Sequence, residues 1–268
     1  MPSVILPSMR ISIVTITYNA ARNLQRTLDS VSQQSYRLLE HLIIDGVSKD
    51  GTLSMAQHYK ETADYEVVVQ SEPDKGLYDA MNKGLQKATG DYIVFLNAGD
   101  TLHDADTLKN VVTAAGKQTS ALPAVIYGDT AITDSEGYFL HLRAHRPPEA
   151  LSWRSFKQGM LVCHQAFYVR TDIAKQFLYN LQFRHSADVD WCIRVMKEAA
   201  RQGLPLVNTH KVLANFEEGG NTTQHHRSSL NERFRVMTIH YGLLQTIGLH
   251  AWFVIRALYR RLFKKDTR

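Results

Sequence analysis

Short β-branched runs alternate with segments of helical period across the first hundred residues, and this alternation restricts the chain to a layered α/β architecture. Ile11 to Thr17 (ISIVTIT) has no polar face, as expected of a strand buried on both sides in a parallel sheet. Polar Tyr18-Asn19 follows, and Leu24, Leu28 and Val31 then recur at helical spacing. The unit repeats. Leu42-Ile43-Ile44 breaks at Asp45-Gly46, Thr52 opens a helix, and Tyr65 to Val69 reads as a third strand. A helix around Tyr78 to Ala88 is stopped by Gly90, and the strand Asp91 to Leu96 runs into Asn97-Ala98-Gly99-Asp100. Four strands alternating with three helices predict a parallel, doubly wound half.

After residue 100 the rhythm changes. A helix is expected near Ala105 to Ala115, and a hairpin from Ala124 to Thr133 and Tyr138 to Ala144 around Asp134-Ser135-Glu136-Gly137. Met160 to Arg170 and Pro205 to Phe216 read as further strands. Val189 to Arg201 reads as a helix preceded by the loop His185-Ser186-Ala187-Asp188, and the chain is helical from Ser228 onward. The expected division is a domain over 1–225, with halves of about 10–100 and 101–225, and a helical extension over 226–268.

Several function classes are excluded by what is missing. No Gly-x-Gly-x-x-Gly follows the first strand and no Gly-rich loop ends in Lys-Ser/Thr, which argues against a dinucleotide oxidoreductase and a P-loop ATPase. Cys163 and Cys192 are isolated from any second thiol at metal-ligand spacing and read as buried reduced thiols. Met1 to Met9 has no apolar core of signal-peptide length, and no run of about 18 apolar residues follows, so a cytoplasmic chain without a membrane span is expected. The formal charge of +5 is a property of the tail: six basic residues from Arg256 onward stand against Asp266, while the preceding 255 residues hold 25 basic and 25 acidic groups. No nucleic-acid partner is expected from a balanced domain.

Ligands of open parallel sheets bind beyond the carboxyl ends of the strands, and here those ends carry a specific series of motifs. Ser12 to Asn19 (SIVTITYN), Ile44 to Thr52 (IDGVSKDGT), Ser71 to Gly84 (SEPDKGLYDAMNKG), Gly90-Asp91-Tyr92 with Phe95-Leu96-Asn97, and His185 to Trp191 (HSADVDW) occur in this order. Together they resemble the family 2 glycosyltransferases of GT-A fold, especially members that build bacterial cell-surface polysaccharides, over residues 11 to about 220. The resemblance implies a Rossmann-like, mostly parallel central sheet flanked by helices, and an inverting hexosyltransferase-type enzyme. Such an enzyme moves a sugar from a nucleotide-diphosphate donor to a hydroxyl of a lipid-linked glycan acceptor.

On that resemblance, Asp45 hydrogen-bonds the donor base, Thr15, Tyr18 and Asn19 form the opposite wall of the nucleotide pocket, and Asp74, Lys75 and Gly76 close over the diphosphate or sugar. Asn82 and Asn97 fall in the same donor-binding motifs. The family's acidic cluster at the fourth strand end binds Mg²⁺ or Mn²⁺, whose charge offsets that of the departing diphosphate. Here Asn97 and Gly99 stand where carboxylates are common, leaving Asp100 as the metal ligand. Asp188 is the implied general base, taking the acceptor proton as the bond to the anomeric carbon forms. Asp190, two residues further into the helix, points elsewhere and is given a structural role. His164 and Gln165 resemble a pair carried near the acceptor, on a strand. Gly219 to Thr223 reads as a flexible turn or lid, and His225-His226 as a less favoured metal pair.

The C-terminal helix places Leu243, Ile247, Ala251, Val254, Leu258 and Leu262 at spacings of three and four, with Arg256, Arg260 and Lys264 opposite and Trp252 and Phe253 near the polar side. A basic amphipathic helix of this kind suits an anionic membrane interface, and predicts a protein peripheral to the cytoplasmic face of the inner membrane. The competing reading is a non-catalytic nucleotide-sugar-binding or membrane-docked scaffold subunit of the same fold.

Overall fold

A computed structural model describes residues 8–118, 121–218 and 226–263, with 226–228 and 257–263 described by backbone alone. β1 (Ile11–Thr17), β2 (Leu39–Asp45), β3 (Glu66–Ser71) and β4 (Tyr92–Phe95) pair in parallel in the order β3-β2-β1-β4. The crossovers are α1 (Ala21–Ser32), α2 (Thr52–Thr62) and α3 (Leu77–Lys87). β1 and β2 are buried over their full length, which explains their lack of polar alternation. α3 seats closely on β1 because Gly84 has no side chain: a Cβ there would stand 2.3 Å from Val14 Cγ1.

The second half extends the same sheet with mixed pairing. β5 (Thr101–Leu102), α4 (Thr107–Gly116), β6 (Val125–Thr133) and β7 (Phe139–Leu142) precede 3-10 turns at Trp153–Gln158 and His164–Ala166. β8 (Phe167–Arg170), α5 (Thr171–Ala174), α6 (Ala187–Arg201), β9 (Leu206–Glu217), α7 (His226–Tyr241) and α8 (Leu243–Phe263) complete the chain. The sheet order is β3-β2-β1-β4-β8-β6-β9-β5, with β7 on β6. β8 runs antiparallel to β4 and β6, while β9 is parallel to β6.

Met160 to Arg170 is a strand only in its last four residues. His164 and Gln165 lie in a 3-10 turn that directs their side chains to partners on other elements. The helix expected from Val189 begins at Ala187, which places Asp188 in its first turn rather than in the preceding loop.

An aromatic column joins the halves. Trp191 stacks on Tyr179 at 5.0 Å between ring centroids, Tyr179 stacks on Tyr78 at 5.5 Å, and Phe95 meets both Tyr179 and Trp191 edge-on. It fixes the start of α6 against β4 and α3. α7 packs on α6 through buried Val236 and a 2.7 Å contact of His240 Nε2 with Asp190 Oδ1. α8 turns Thr246, His250 and Phe253 inward, with His250 against Phe234. It leaves Leu243, Leu244, Ile247, Ala251, Val254 and Ile255 exposed. Among the described residues no helix is long and apolar enough to cross a membrane.

Candidate active site

Asp188 lies where α6 begins, at the junction of the two halves. Its Oδ1 accepts a hydrogen bond from the Tyr78 hydroxyl at 3.1 Å and from the Val189 N–H at 2.9 Å, and its Oδ2 lies 3.5 Å from His164 Nδ1. Burial alone would raise the carboxyl's pKa. The His164 hydrogen bond and charge, the Val189 N–H and the Tyr78 hydroxyl outweigh it and hold Asp188 below the usual carboxylate range. The positive end of α6 acts in the same direction. The side chain remains 15% exposed, so part of the ionised group stays open to solvent.

His164 links this carboxylate to the end of β4. Asn97 Nδ2 is 3.2 Å from His164 Nε2, and the Nδ1 of the same ring faces Asp188. Asn97 Oδ1 is buried with no hydrogen-bond partner, an acceptor open to a ligand hydroxyl. The next residue of the turn, Gln165, is 1% exposed and donates from Nε2 to Asp100 Oδ2 at 2.6 Å. It therefore positions Asp100 instead of facing an acceptor. Asp100 itself is 6% exposed, and burial pushes its carboxyl up to about 6 against the opposing influence of Gln165, His164 and Arg26.

The residues at this strand end do not fit the expected Mg²⁺ or Mn²⁺. Among the described residues no group of three or more His, Cys, Asp or Glu could hold a metal ion. Asp100 faces Gln165, and a Cβ on Gly99 would stand 3.3 Å from an Arg26 guanidinium nitrogen and 3.6 Å from Glu217 Oε2. A side chain there would point at a cation paired with Glu217, an unfavourable setting for a second one. Gly219 to Thr223 and the His225-His226 pair lie outside the residues whose side chains are described.

The donor-side residues divide into those at the rim and those holding the scaffold. Tyr18 is 64% exposed and lies against Gly46, whose other flank meets Asp74: a Cβ at Gly46 would be 3.4 Å from Tyr18 Cδ2 and 2.5 Å from Asp74 Oδ2. Asn19 and Val47 both adopt left-handed backbone at facing strand ends, φ 48° and 63°. For β-branched Val47 this is strained, a condition that concentrates at functional loops. Asn19 Oδ1 accepts from Lys49 N at 2.8 Å and its N–H donates to Ser48 Oγ at 2.8 Å, locking the two loops together. Lys75 and Gly76 border a cleft of about 500 Å³ that also includes Tyr78, Phe183 and Arg184. Asp74 Oδ1 accepts from Gly76 N, fixing that turn.

Three of the expected donor contacts are engaged elsewhere. The Thr15 hydroxyl is fully buried, 2.8 Å from His41 Nε2, and donates to Leu96 O at 2.8 Å. It joins β1 to β2 and to the end of β4. Asn82 clamps Tyr179, donating to its carbonyl at 3.0 Å and accepting from its N–H at 2.7 Å, so it supports the aromatic column. Asp45 is buried and accepts from Thr17 Oγ1, Ser48 Oγ, Ser48 N and Ser71 Oγ. A base N–H reaches it only by displacing a serine hydroxyl. These internal donors overcome the effect of burial and hold its carboxyl below the ordinary range.

The sequence reading gave no role to Tyr78, which supports Asp188 through its hydroxyl. The residue stands inside the Ser71 to Gly84 motif, but only the fold carries it across to α6.

The class defined by this fold and site has a parallel α/β half with polar loops at its strand ends and, where the second half joins it, an ionised carboxylate in the first turn of α6. A sequence model described as Glycosyl transferase family 2 matches residues 12–177, and the chain belongs to this family. A PGL/p-HBAD biosynthesis glycosyltransferase of Mycobacterium bovis is 32% identical over 214 residues, 78% of this chain and 77% of the relative. The crystal structure of S. aureus TarS 1-349 in complex with UDP-GlcNAc has a TM-score of 0.69 at 15% identity, covering 96% of this chain and 76% of that one. The Pyrobaculum calidifontis mannosyltransferase PcManGT, in complex with GDP-Man and Mn²⁺, has a TM-score of 0.62 at 17% identity, covering 96% and 81%. The fold is therefore GT-A, and the chain is a glycosyltransferase.

Proposed function

We propose that this chain transfers a sugar, with inversion, from a nucleoside-diphosphate sugar to a hydroxyl of a lipid-linked glycan in the biosynthesis of a bacterial surface polysaccharide. The acceptor oxygen attacks the anomeric carbon and its proton passes to Asp188 Oδ2. The bond from that carbon to the diphosphate breaks, and its electron pair leaves with the nucleoside diphosphate. The observation that carries this reading is an ionised, partly exposed Asp188 held by Tyr78 and His164. The donor complexes of TarS and PcManGT support a nucleotide-sugar donor, and the mycobacterial relative, named for PGL/p-HBAD biosynthesis, supports a place in a biosynthetic glycosylation.

Calorimetric titration with UDP-, GDP- and dTDP-sugars is expected to find binding within one nucleotide class, and the bound donor to turn over when an acceptor lipid extract is added. Binding to none of the three overturns the proposal.

The membrane-facing part of the reading rests on α8. Its apolar stripe is uncovered, with Leu244 86% exposed, and Arg256 begins the basic tail at its end. We infer docking on an anionic cytoplasmic leaflet, which would bring a lipid-linked acceptor to the cleft. The chain is expected to sediment with phosphatidylglycerol vesicles and much less with neutral ones, and Leu244→Glu with Ile247→Glu to abolish sedimentation. Equal recovery of wild type and double variant would sink the docking role.

A further inference from the structure

The 3-10 turn Trp153–Gln158 packs on α6 and meets the last residue of α7, just before α8 begins. Trp153 and Tyr241 lie almost parallel, 7° between ring planes and 5.7 Å between centroids, and the Tyr241 hydroxyl donates to Trp153 O at 2.6 Å. Neither residue is fully buried. Three cations stand on this pair of rings. The Arg154 guanidinium is 4.4 Å and Lys197 Nζ 4.8 Å from the Trp153 ring centre, and Lys157 Nζ is 5.4 Å from that of Tyr241. Residues three apart eclipse one another in a 3-10 turn, so Arg154 and Lys157 project on the same side. Ser155 holds the turn in that form, its Oγ accepting from Ser152 N at 3.1 Å.

The neighbouring carboxylates are committed to other cations. Among the described residues none lies within 4.0 Å of Arg154, Lys157 or Lys197. Asp190 lies beyond the His240 ring, whose Nδ1 is 3.1 Å from Lys197 Nζ, and it is shared by Arg194 and His240. Glu198, beside Lys197 on α6, pairs with Arg201 and accepts from Gln202. Glu149, before the turn, faces His210 at 3.5 Å, and Glu232 on α7 accepts from the backbone N–H groups of Arg184 and His185. With Arg194 set against Asp190 and Arg201 against Glu198, the three cations on the rings remain in surplus. Partial burial lowers the Lys197 pKa against the opposing influence of Asp190, so an added anion there would favour its charged form.

From Tyr241 the chain turns at Gly242 into α8, whose first residues Leu243 and Leu244 are 52% and 86% exposed. At a membrane interface indole and phenol rings sit at headgroup level and basic side chains meet lipid phosphate. We propose that Arg154, Lys157 and Lys197, around the stacked Trp153 and Tyr241 rings, form a binding site for the phosphate-bearing headgroup of an anionic phospholipid at the root of the α8 stripe. The site rests on the docking reading above, and assigns selectivity for anionic lipid to a defined cluster rather than to the basic tail alone. A bilayer suits it better than a soluble anion because the exposed apolar stripe starts two residues from Tyr241.

The test is sedimentation of the full chain with vesicles of phosphatidylcholine alone and of phosphatidylcholine mixed equally with phosphatidylglycerol. Arg154→Gln with Lys157→Gln is expected to weaken partitioning into the mixed vesicles about 10- to 30-fold and to leave the weaker binding to phosphatidylcholine unchanged. Lys60→Gln with Lys117→Gln removes the same charge from exposed positions on α2 and after α4, and should partition as wild type. Thermal melts verify each fold, and Lys157→Gln alone, about five-fold weaker, gives the same readout if the double variant does not fold.

Unchanged partitioning of the folded site variant overturns the proposal and leaves the docking role intact. So does an equal fall in the Lys60 and Lys117 variant, the result expected if overall charge alone draws the chain to the surface, and so does equal sedimentation of wild type with both vesicles. A wild-type chain that sediments with neither vesicle instead removes the docking reading, and this site with it.

Discussion

Asp188→Asn is expected to lower kcat about 10²–10⁴-fold while leaving donor affinity within about two-fold. The substitution keeps the shape of the side chain and an oxygen for the Tyr78 hydroxyl and Val189 N–H, so the first turn of α6 keeps its hydrogen bonds. What it removes is the ability to accept a proton. The effect should therefore fall on the chemical step. Since Asp188 is held below the usual carboxylate range, the wild-type rate should persist through neutral pH and be lost only as pH falls through that depressed value. A rate declining from neutral pH would indicate a different base.

Asp190→Ala is expected to act two residues away and in the opposite manner, with a loss of stability of about 3–5 kcal/mol. Its carboxylate is 6% exposed and joins Arg194 at 2.8 Å on its own helix to His240 at 2.7 Å on α7. Removing it leaves the buried His240 ring and the Arg194 guanidinium without their shared carboxylate and releases the contact that docks α7 on α6. For a chain of this size the melting temperature should drop by roughly 6–15 °C, with activity per folded molecule much less affected than in Asp188→Asn. Burial raises the Asp190 carboxyl, but His240 and Arg194 prevail and the net direction is downward. A depressed folded-state pKa stabilises above the unfolded value and loses that contribution as pH falls through the folded one. The stability difference between wild type and variant should therefore narrow in acid. A melt unchanged by Asp190→Ala would show that α7 is docked by other contacts.

The two aspartates also mark how far the sequence could be read. β1, β2 and β4 were legible because strands buried on both faces lack polar alternation: Ile11 to Thr17 is β-branched except at Ser12, and Leu42-Ile43-Ile44 and Tyr92 to Phe95 are apolar. Asp188 was legible through its motif and its place at a helix start. Its partners were not. Tyr78 is 110 residues away in sequence, and His164 lies in a segment whose apolar neighbours Met160, Leu161 and Val162 mimic a strand. Local pattern reports burial, but it cannot tell that His164 and Gln165 must turn to meet Asp188, Asn97 and Asp100.

The same limit explains Thr15, Asn82 and Asp45. Motif position placed them at the donor, and their short polar side chains suit ligand and scaffold equally. The distances to His41, Tyr179 and the Ser48 loop show the internal contacts these side chains make, which the motifs do not reveal. Two-residue β5 and the antiparallel insertion of β8 between β4 and β6 likewise depend on pairing across long sequence separations.

The account stands most directly on release of nucleoside diphosphate during transfer, measured beside donor affinity for wild type and Asp188→Asn at neutral pH. It predicts that the variant binds donor as wild type does and releases product at least about a hundred-fold more slowly. Equal release by the two proteins would contradict it, and with it the assignment of Asp188 as the group that takes the acceptor's proton.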